Sequence, residues 1–195
     1  MKAQDDKLAR PLDPSTEIFI RTPTASDGAA VNELIERCKP LDENSVYCNL
    51  LQCSHFNDTC VLAEAEGEIV GFVSGYLQPK RDDRLFIWQV AVDESARGRS
   101  LAQTMVLDLL RRPACRHVTG LQTTITPNNK PSQGLFTSLA DTLEAEVEKR
   151  VLFHEERHFG GDQPSEVLWE IGPFDPAEAL EAFAARPGLS LQSAA

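Results

Sequence analysis

The stretch Trp88–Leu110, WQVAVDESARGRSLAQTMVLDLL, decides how the fold is read. It opens as an apolar strand, breaks at a short loop rich in Arg and Gly, and resumes as an amphipathic helix. A loop whose backbone N–H groups open onto a helix N-terminus is a seat for a phosphate. Arg97 and Arg99 flank Gly98 at that point, in a chain whose formal net charge is −11. Positive charge placed locally against that balance points to an anionic ligand; an ordinary strand-to-helix turn is the plainer alternative.

Outward from this stretch, the chain alternates strand and helix signals. Glu17–Arg21 alternates as a strand, and Thr24 with Asp27 predicts a capped helix carrying Val31, Leu34, Ile35 and Cys38 on one face. Pro40 interrupts it, and a second helix is expected from Asp42 or Asn44, burying Val46, Leu50 and Leu51. Thr59–Ala65 and Ile69–Leu77 read as a hairpin turning at Glu66–Gly67, followed by a strand over Leu85–Val92 and a helix over Arg97–Arg111. His117–Ile125 is a strand, Pro131 opens a helix running to Leu143, and strands follow at Val147–Phe153 and Glu166–Ile171. The order β-α-α-β-β-β-α-β-α-β-β predicts an α/β domain with a mixed sheet and helices on both faces. That domain spans 17–174, after a disordered lead-in over 1–16. Asp175 and Pro176 begin an Ala-rich helical extension over 175–195, with Leu180 and Phe183 on its apolar side.

Composition narrows the functional classes. The acidic balance argues against a nucleic-acid partner, and no apolar run is long enough for a membrane span. The N-terminus has no apolar signal-peptide core, and five cysteines without a Cys-x-x-Cys pair suggest reduced, buried thiols and a cytoplasmic setting. His154-Glu155-Glu156-Arg157-His158 matches the zinc-peptidase pattern His-Glu-x-x-His, which needs a long buried helix. Here strand-like residues precede it and Gly160-Gly161 follow at once, so no metal site is expected.

Ser95 to Ser100 resembles the acetyl-CoA signature of the GNAT acyltransferases, Arg-x-x-Gly-x-Gly/Ala, with small serines at its two ends. Five further segments, in matching order between Ile18 and Phe174, resemble one branch of that superfamily, the diaminobutyrate acetyltransferases of ectoine biosynthesis. They are Pro40–Leu51 (PLDENSVYCNLL), His55–Cys60 (HFNDTC), Trp88–Val92 (WQVAV), Thr123–Asn129 (TTITPNN) and Ile171–Phe174 (IGPF). The resemblance implies the GNAT fold, a mixed central β-sheet flanked by helices. It also implies acetyl transfer from acetyl-CoA to the γ-amine of L-2,4-diaminobutyrate, and a homodimer. A GNAT enzyme of another small diamine or amino acid, and a non-catalytic acyl-CoA-binding module, are the rival readings.

That chemistry makes demands the residues can be tested against. An alkyl amine has a reference pKa of about 10, so it arrives as ammonium and must lose a proton before attacking a thioester. Asp42, Glu43, Asn44, Tyr47, Trp88, Gln89 and Gln163 are expected around the acceptor. Asp42 is the charge-assisted partner of the α-ammonium or merely a helix cap. Trp88 is a pocket wall or core filling; simple alternation puts it on one strand face with Phe86, Val90 and Val92, opposite Leu85, Ile87, Gln89 and Ala91. Family likeness assigns acetyl-carbonyl polarisation to the Val90 N–H and pantetheine pairing to Val90 and Val92. It assigns the remaining CoA contacts to Arg97, Gly98, Arg99, Ser100, Leu101, Ala102, Asn129 and Ser132. Phe136 stands where relatives often carry a Tyr acid, and Gln163 where a His is common. Glu166 is the candidate base, directly or through a water.

Overall fold

The computed structural model describes residues 10–177, 181, 184 and 189–191. Among these, eight strands form one mixed sheet: β1 (Ile18–Arg21), β2 (Val61–Ala65), β3 (Glu68–Gln78), β4 (Arg81–Val92), β5 (Gly120–Ile125), β6 (Val147–Phe153), β7 (Glu166–Ile171) and β8 (Leu189–Leu191). Their spatial order is β6-β7-β5-β4-β3-β2-β1-β8. Only the β4–β5 and β1–β8 neighbours are parallel. The helices are α1 (Gly28–Arg37), α2 (Val46–Ser54), α3 (Leu101–Leu110), α4 (Lys130–Thr142) and the single turn α5 (Glu155–His158). The expected order of elements is found. β8 is an addition, falling inside the stretch read as a helical extension; Leu180 and Phe183 lie outside the described residues. The lead-in read as disordered is placed from Arg10 onward.

Each sheet face has its own core. On one, Val31, Leu34 and Ile35 of α1 pack with Leu62, Phe72 and Ala91. On the other, Met105, Val106 and Leu109 of α3 and Phe136 and Leu139 of α4 pack with Ile20, Val73 and Ile87. The Thr24 N–H donates to the Asp27 carboxylate at 2.7 Å, and Arg21 grips the same carboxylate with two nitrogens at 2.8 Å. That fork fixes the entry to α1 against the sheet.

Two local expectations need correcting. Ser45, rather than Asp42 or Asn44, caps α2, accepting the Cys48 N–H at 3.1 Å. The buried side of α2 is Asn49, Gln52 and Cys53, while Val46 is exposed and Leu50 and Leu51 are half-buried. Asn49 donates to Asn32 of α1 at 2.9 Å, so a buried polar contact, not the apolar stripe, chooses the packed face. The second correction is in β4. Gln89 pairs with Ser74 and Ile87 with Gly75, adjacent on β3 but two apart on β4, so Trp88 is an extra, bulged residue. A bulge inverts the alternation beyond it. Val90 and Val92 therefore pack with Leu85 and Ile87 on the α3–α4 face. Gln89 and Ala91, paired with Ser74 and Phe72, share the α1–α2 side with Phe86.

Asp108, 1% exposed on α3, holds Arg111 and Arg112, and Arg112 also donates to the Cys60 carbonyl at 2.6 Å. This network ties α3 to the start of β2. Removing one partner of a buried pair strands the other charge. Asp108→Ala should therefore cost about 3 kcal/mol of stability, read as a lowered denaturation midpoint; a loss below about 1 kcal/mol would show that the arginines find water instead.

Candidate active site

A gap in the sheet is the organising feature of the site. β4 and β5 pair only where Arg84, Leu85 and Phe86 meet Gly120, Leu121 and Gln122. Beyond that point β5 continues with β7 and β4 with β3, so the edge of β4 from Ile87 to Val92 meets no strand on that side among the described residues. Strand edges carry unpaired N–H and C=O groups, a template for an extended ligand. The Trp88 bulge sits where the two strands part.

The Arg-Gly loop follows directly. Gly98 has φ +76° and Ser100 φ +55°, two left-handed residues that turn the chain sharply, so α3 starts at Leu101 instead of at Arg97. A side chain at the Gly98 position would be strained by that backbone angle. The loop, the first turn of α3 and α4 enclose a cleft of about 270 Å³. Val92, Arg97, Gly98, Ser100, Leu101 and Ala102 all line it, so six residues expected at the CoA-type ligand meet in one place, joined by Leu135 and Ser138. Arg97 donates to the Val92 carbonyl at 3.2 Å, tying the loop to the strand. Arg99 does something else: it donates to the Thr16 carbonyl at 2.8 Å, while the Leu12 N–H donates to Ser95 at 2.9 Å. The segment before β1 is thereby strapped to the loop, and Arg99 is its buckle. At the neighbouring helix, the Asn129 side chain accepts the Ser132 N–H at 3.1 Å, capping α4. Phe136 is buried in the core beneath.

A second group of residues gathers across the gap. Gln89 accepts from Asn44 at 2.8 Å and donates to the Asp42 carbonyl at 2.9 Å. With Ser45 as the cap, the Asp42 carboxylate has no capping duty. It lies near enough to Glu166 for its charge to act there. Burial pushes the Glu166 carboxyl above its ordinary value, a hydrogen bond with Thr124 opposes this, and the negative charge of Asp42 pushes it up further. Trp88, half exposed, meets Tyr76 edge-on at 6.3 Å, and Tyr76 stacks on Phe86 at 5.1 Å. Sequence reading missed Tyr76 and Thr124; Tyr76, opposite Phe86 on the neighbouring strand, becomes visible only once the strand register is known. Tyr47 stands exposed on the first turn of α2. Glu43 makes an exposed ion pair with Lys39, and Gln163 is exposed in the segment before β7.

The cysteines are not poised to react. Burial pushes Cys53 and Cys60 up to about 12 and Cys115 up to about 11. The His154–His158 segment is a strand end followed by one helical turn, and His158 accepts the His154 N–H at 2.7 Å, a local cap.

Comparison with known proteins points to one family. The model of the acetyltransferase (GNAT) family matches residues 29–140. The L-2,4-diaminobutyric acid acetyltransferase of Methylotuvimicrobium alcaliphilum is 48% identical over 174 residues, covering 89% of this chain and 98% of that protein. The protein of that name from Chromohalobacter salexigens is 47% identical over 179 residues, 88% of this chain and 93% of its own. Among solved structures, diaminobutyrate acetyltransferase EctA from Paenibacillus lautus, in complex with L-2,4-diaminobutyric acid and coenzyme A, superposes with a TM-score of 0.76. It is 40% identical and covers 82% of this chain and 96% of its own.

If the Gly98 loop seats a pyrophosphate, Gly98→Val should weaken binding of CoA about tenfold or more in a calorimetric titration, about 1.4 kcal/mol. Affinity unchanged in a folded variant would remove the loop from the binding site.

Proposed function

The chain belongs to the acetyltransferase (GNAT) family, and from that premise we propose that it transfers acetyl from acetyl-CoA to the γ-amine of L-2,4-diaminobutyrate. The product is N4-acetyl-L-2,4-diaminobutyrate, a step towards ectoine. The observation that carries this reading is that one gap in the sheet brings together an Arg-flanked cleft and two carboxylates close enough to feel each other. The first suits an acidic thioester carrier. The second suits a small molecule bearing two ammonium groups.

In this scheme the cleft at Gly98–Ala102, with the α4 N-terminus at Asn129 and Ser132, holds the CoA moiety. The free edge of β4 at Val90 and Val92 receives its extended arm, and the Val90 N–H polarises the acetyl carbonyl. Asp42 takes the α-ammonium, leaving the γ-amine directed at the thioester. The Trp88, Tyr76 and Tyr47 rings flank the aliphatic part of the acceptor. Glu166 removes the ammonium proton, directly or through water, the amine lone pair forms the C–N bond to give a tetrahedral intermediate, and the nitrogen sheds its second proton to solvent as the C–S bond breaks. The departing thiolate takes its proton from solvent, since Phe136 has none to give. Transfer is direct, in a ternary complex: thiols pushed up to about 11 or 12 are protonated at neutral pH and make poor acyl carriers.

The working form is a homodimer in the cytoplasm. Support for association comes from β6, an edge strand with Val151 and Phe153 exposed. No helix among the described residues is long and apolar enough to cross a membrane. Light scattering should return twice the 21.5 kDa chain mass; a single-chain mass at micromolar concentration would exclude the dimer.

Two measurements test the chemistry. Proton NMR of the product should place acetyl on N4; acetyl mainly on the α-nitrogen, or turnover of another diamine in preference, overturns the acceptor assignment. Glu166 must be ionised to act as base, so activity should be lost as pH falls through its raised pKa. Glu166→Gln should lower kcat by roughly 10²-fold or more and erase that acid limb. Stability moves the other way. A carboxyl with a raised folded-state pKa favours the fold only while protonated, an advantage lost as pH rises through that pKa. The Gln variant should thus be at least as thermostable as the parent at neutral pH, with its advantage growing from acid towards neutral.

A further inference from the structure

The segment from Pro40 to Ser45 carries Asp42 without regular secondary structure to hold it. Its ends are fixed: the Leu41 N–H donates to Cys38 at 3.1 Å, and Ser45 caps α2. Between them, one side chain reaches across from the sheet. Gln89 uses both halves of its amide, the oxygen accepting from the Asn44 side chain at 2.8 Å and the nitrogen donating to the Asp42 backbone carbonyl at 2.9 Å. A side-chain amide is the group that can do both at once.

The bulge is what makes this reach possible. Without the extra residue at Trp88, Gln89 would share a face with Leu85 and Ile87 and point into the α3–α4 core. With it, Gln89 stands on the α1–α2 side, next to the bulged Trp88 and one residue from Val90. One amide therefore fixes the segment bearing Asp42 to the strand bearing Trp88 and Val90.

We infer that Gln89, with Asn44 as its partner, is a positioning residue that sets which amine of the acceptor faces the thioester, by holding the Asp42 segment in register with β4 rather than by touching the substrate. This rests on the acceptor reading given above. The two amines of diaminobutyrate are separated by three carbons and differ in the carboxylate beside the α-amine, so a displaced Asp42 segment lets the acceptor seat in the reverse sense, with the α-amine towards the thioester.

The test uses the full chain carrying Gln89→Ala, Asn44→Ala or both. For Gln89→Ala, the KM for diaminobutyrate should rise about tenfold and the KM for acetyl-CoA stay within about twofold. NMR should show the N2-acetyl product climbing from trace to a measurable share. The double variant should be no worse than the worse single one, because both replacements open the same clasp. Effects that multiply would mean each side chain contacts the acceptor separately and would overturn the inference, as would an unchanged acceptor KM and product ratio in Gln89→Ala. Hydrogen exchange without substrate supplies the independent arm: the Cys48 and Asn49 amides, which donate to the side chain and carbonyl of Ser45, should exchange faster in Gln89→Ala, with β6 and β7 unchanged. If the parent fails to acetylate diaminobutyrate, the acceptor reading falls while the exchange arm still judges the clasp; unchanged exchange at Cys48 and Asn49 refutes the clasp whatever the acceptor.

Discussion

A single extra residue in β4 is the constraint on which the rest of the site depends. The Trp88 bulge lies where β4 parts from β5, and it reverses which way every later side chain of the strand points. A reversed strand puts Val90 and Val92 onto the α3–α4 core and frees Gln89 for the opposite side. The gap that follows leaves β4 with an open edge beside the cleft lined by Gly98 and Leu101. Bulges are conformationally costly features, and their persistence beside a functional site fits the general pattern that they re-aim a side chain or end a pairing. Here one bulge does both.

Electrostatics give the site its second character. The chain is acidic overall, and α3 gathers Arg111 and Arg112 around the buried Asp108 as a structural device. Glu166 is treated differently: burial and the nearby Asp42 both oppose its ionisation, and only Thr124 favours it. Two carboxylates whose charges oppose each other leave a local electrostatic penalty that a positive charge would relieve. The stabilisation withheld from folding is available to a cation that binds there.

How much of this could be read beforehand depends on the range of each interaction. Element order was legible because apolar periodicity and turn residues act locally: Glu66 and Gly67 take left-handed angles at the β2–β3 turn, and Gly98 does the same before α3. The gathering of Val92, Arg97, Gly98, Ser100, Leu101 and Ala102 followed from one contiguous stretch. The bulge was not legible, because apolar residues lie on both sides of Trp88 and alternation alone fits either register. The α2 cap was ambiguous since Asp42, Asn44 and Ser45 can all cap a helix, and only the Gln89 contact, 45 residues away, removes Asn44 from the contest. The strap through Arg99 was hidden for a similar reason, since its Thr16 partner lies 83 residues away.

That strap has a kinetic meaning as well. The Arg99 bond to Thr16 joins residues 83 apart in sequence, so closing it costs about 4 kcal/mol of chain entropy if nothing else has yet ordered. The cost vanishes once β1 has paired with β2 and α3 has docked, since Thr16 and Arg99 are then already neighbours. The Arg-Gly loop is therefore not an autonomous local nest. Its final shape depends on the assembled sheet, and the segment before β1 is what completes it.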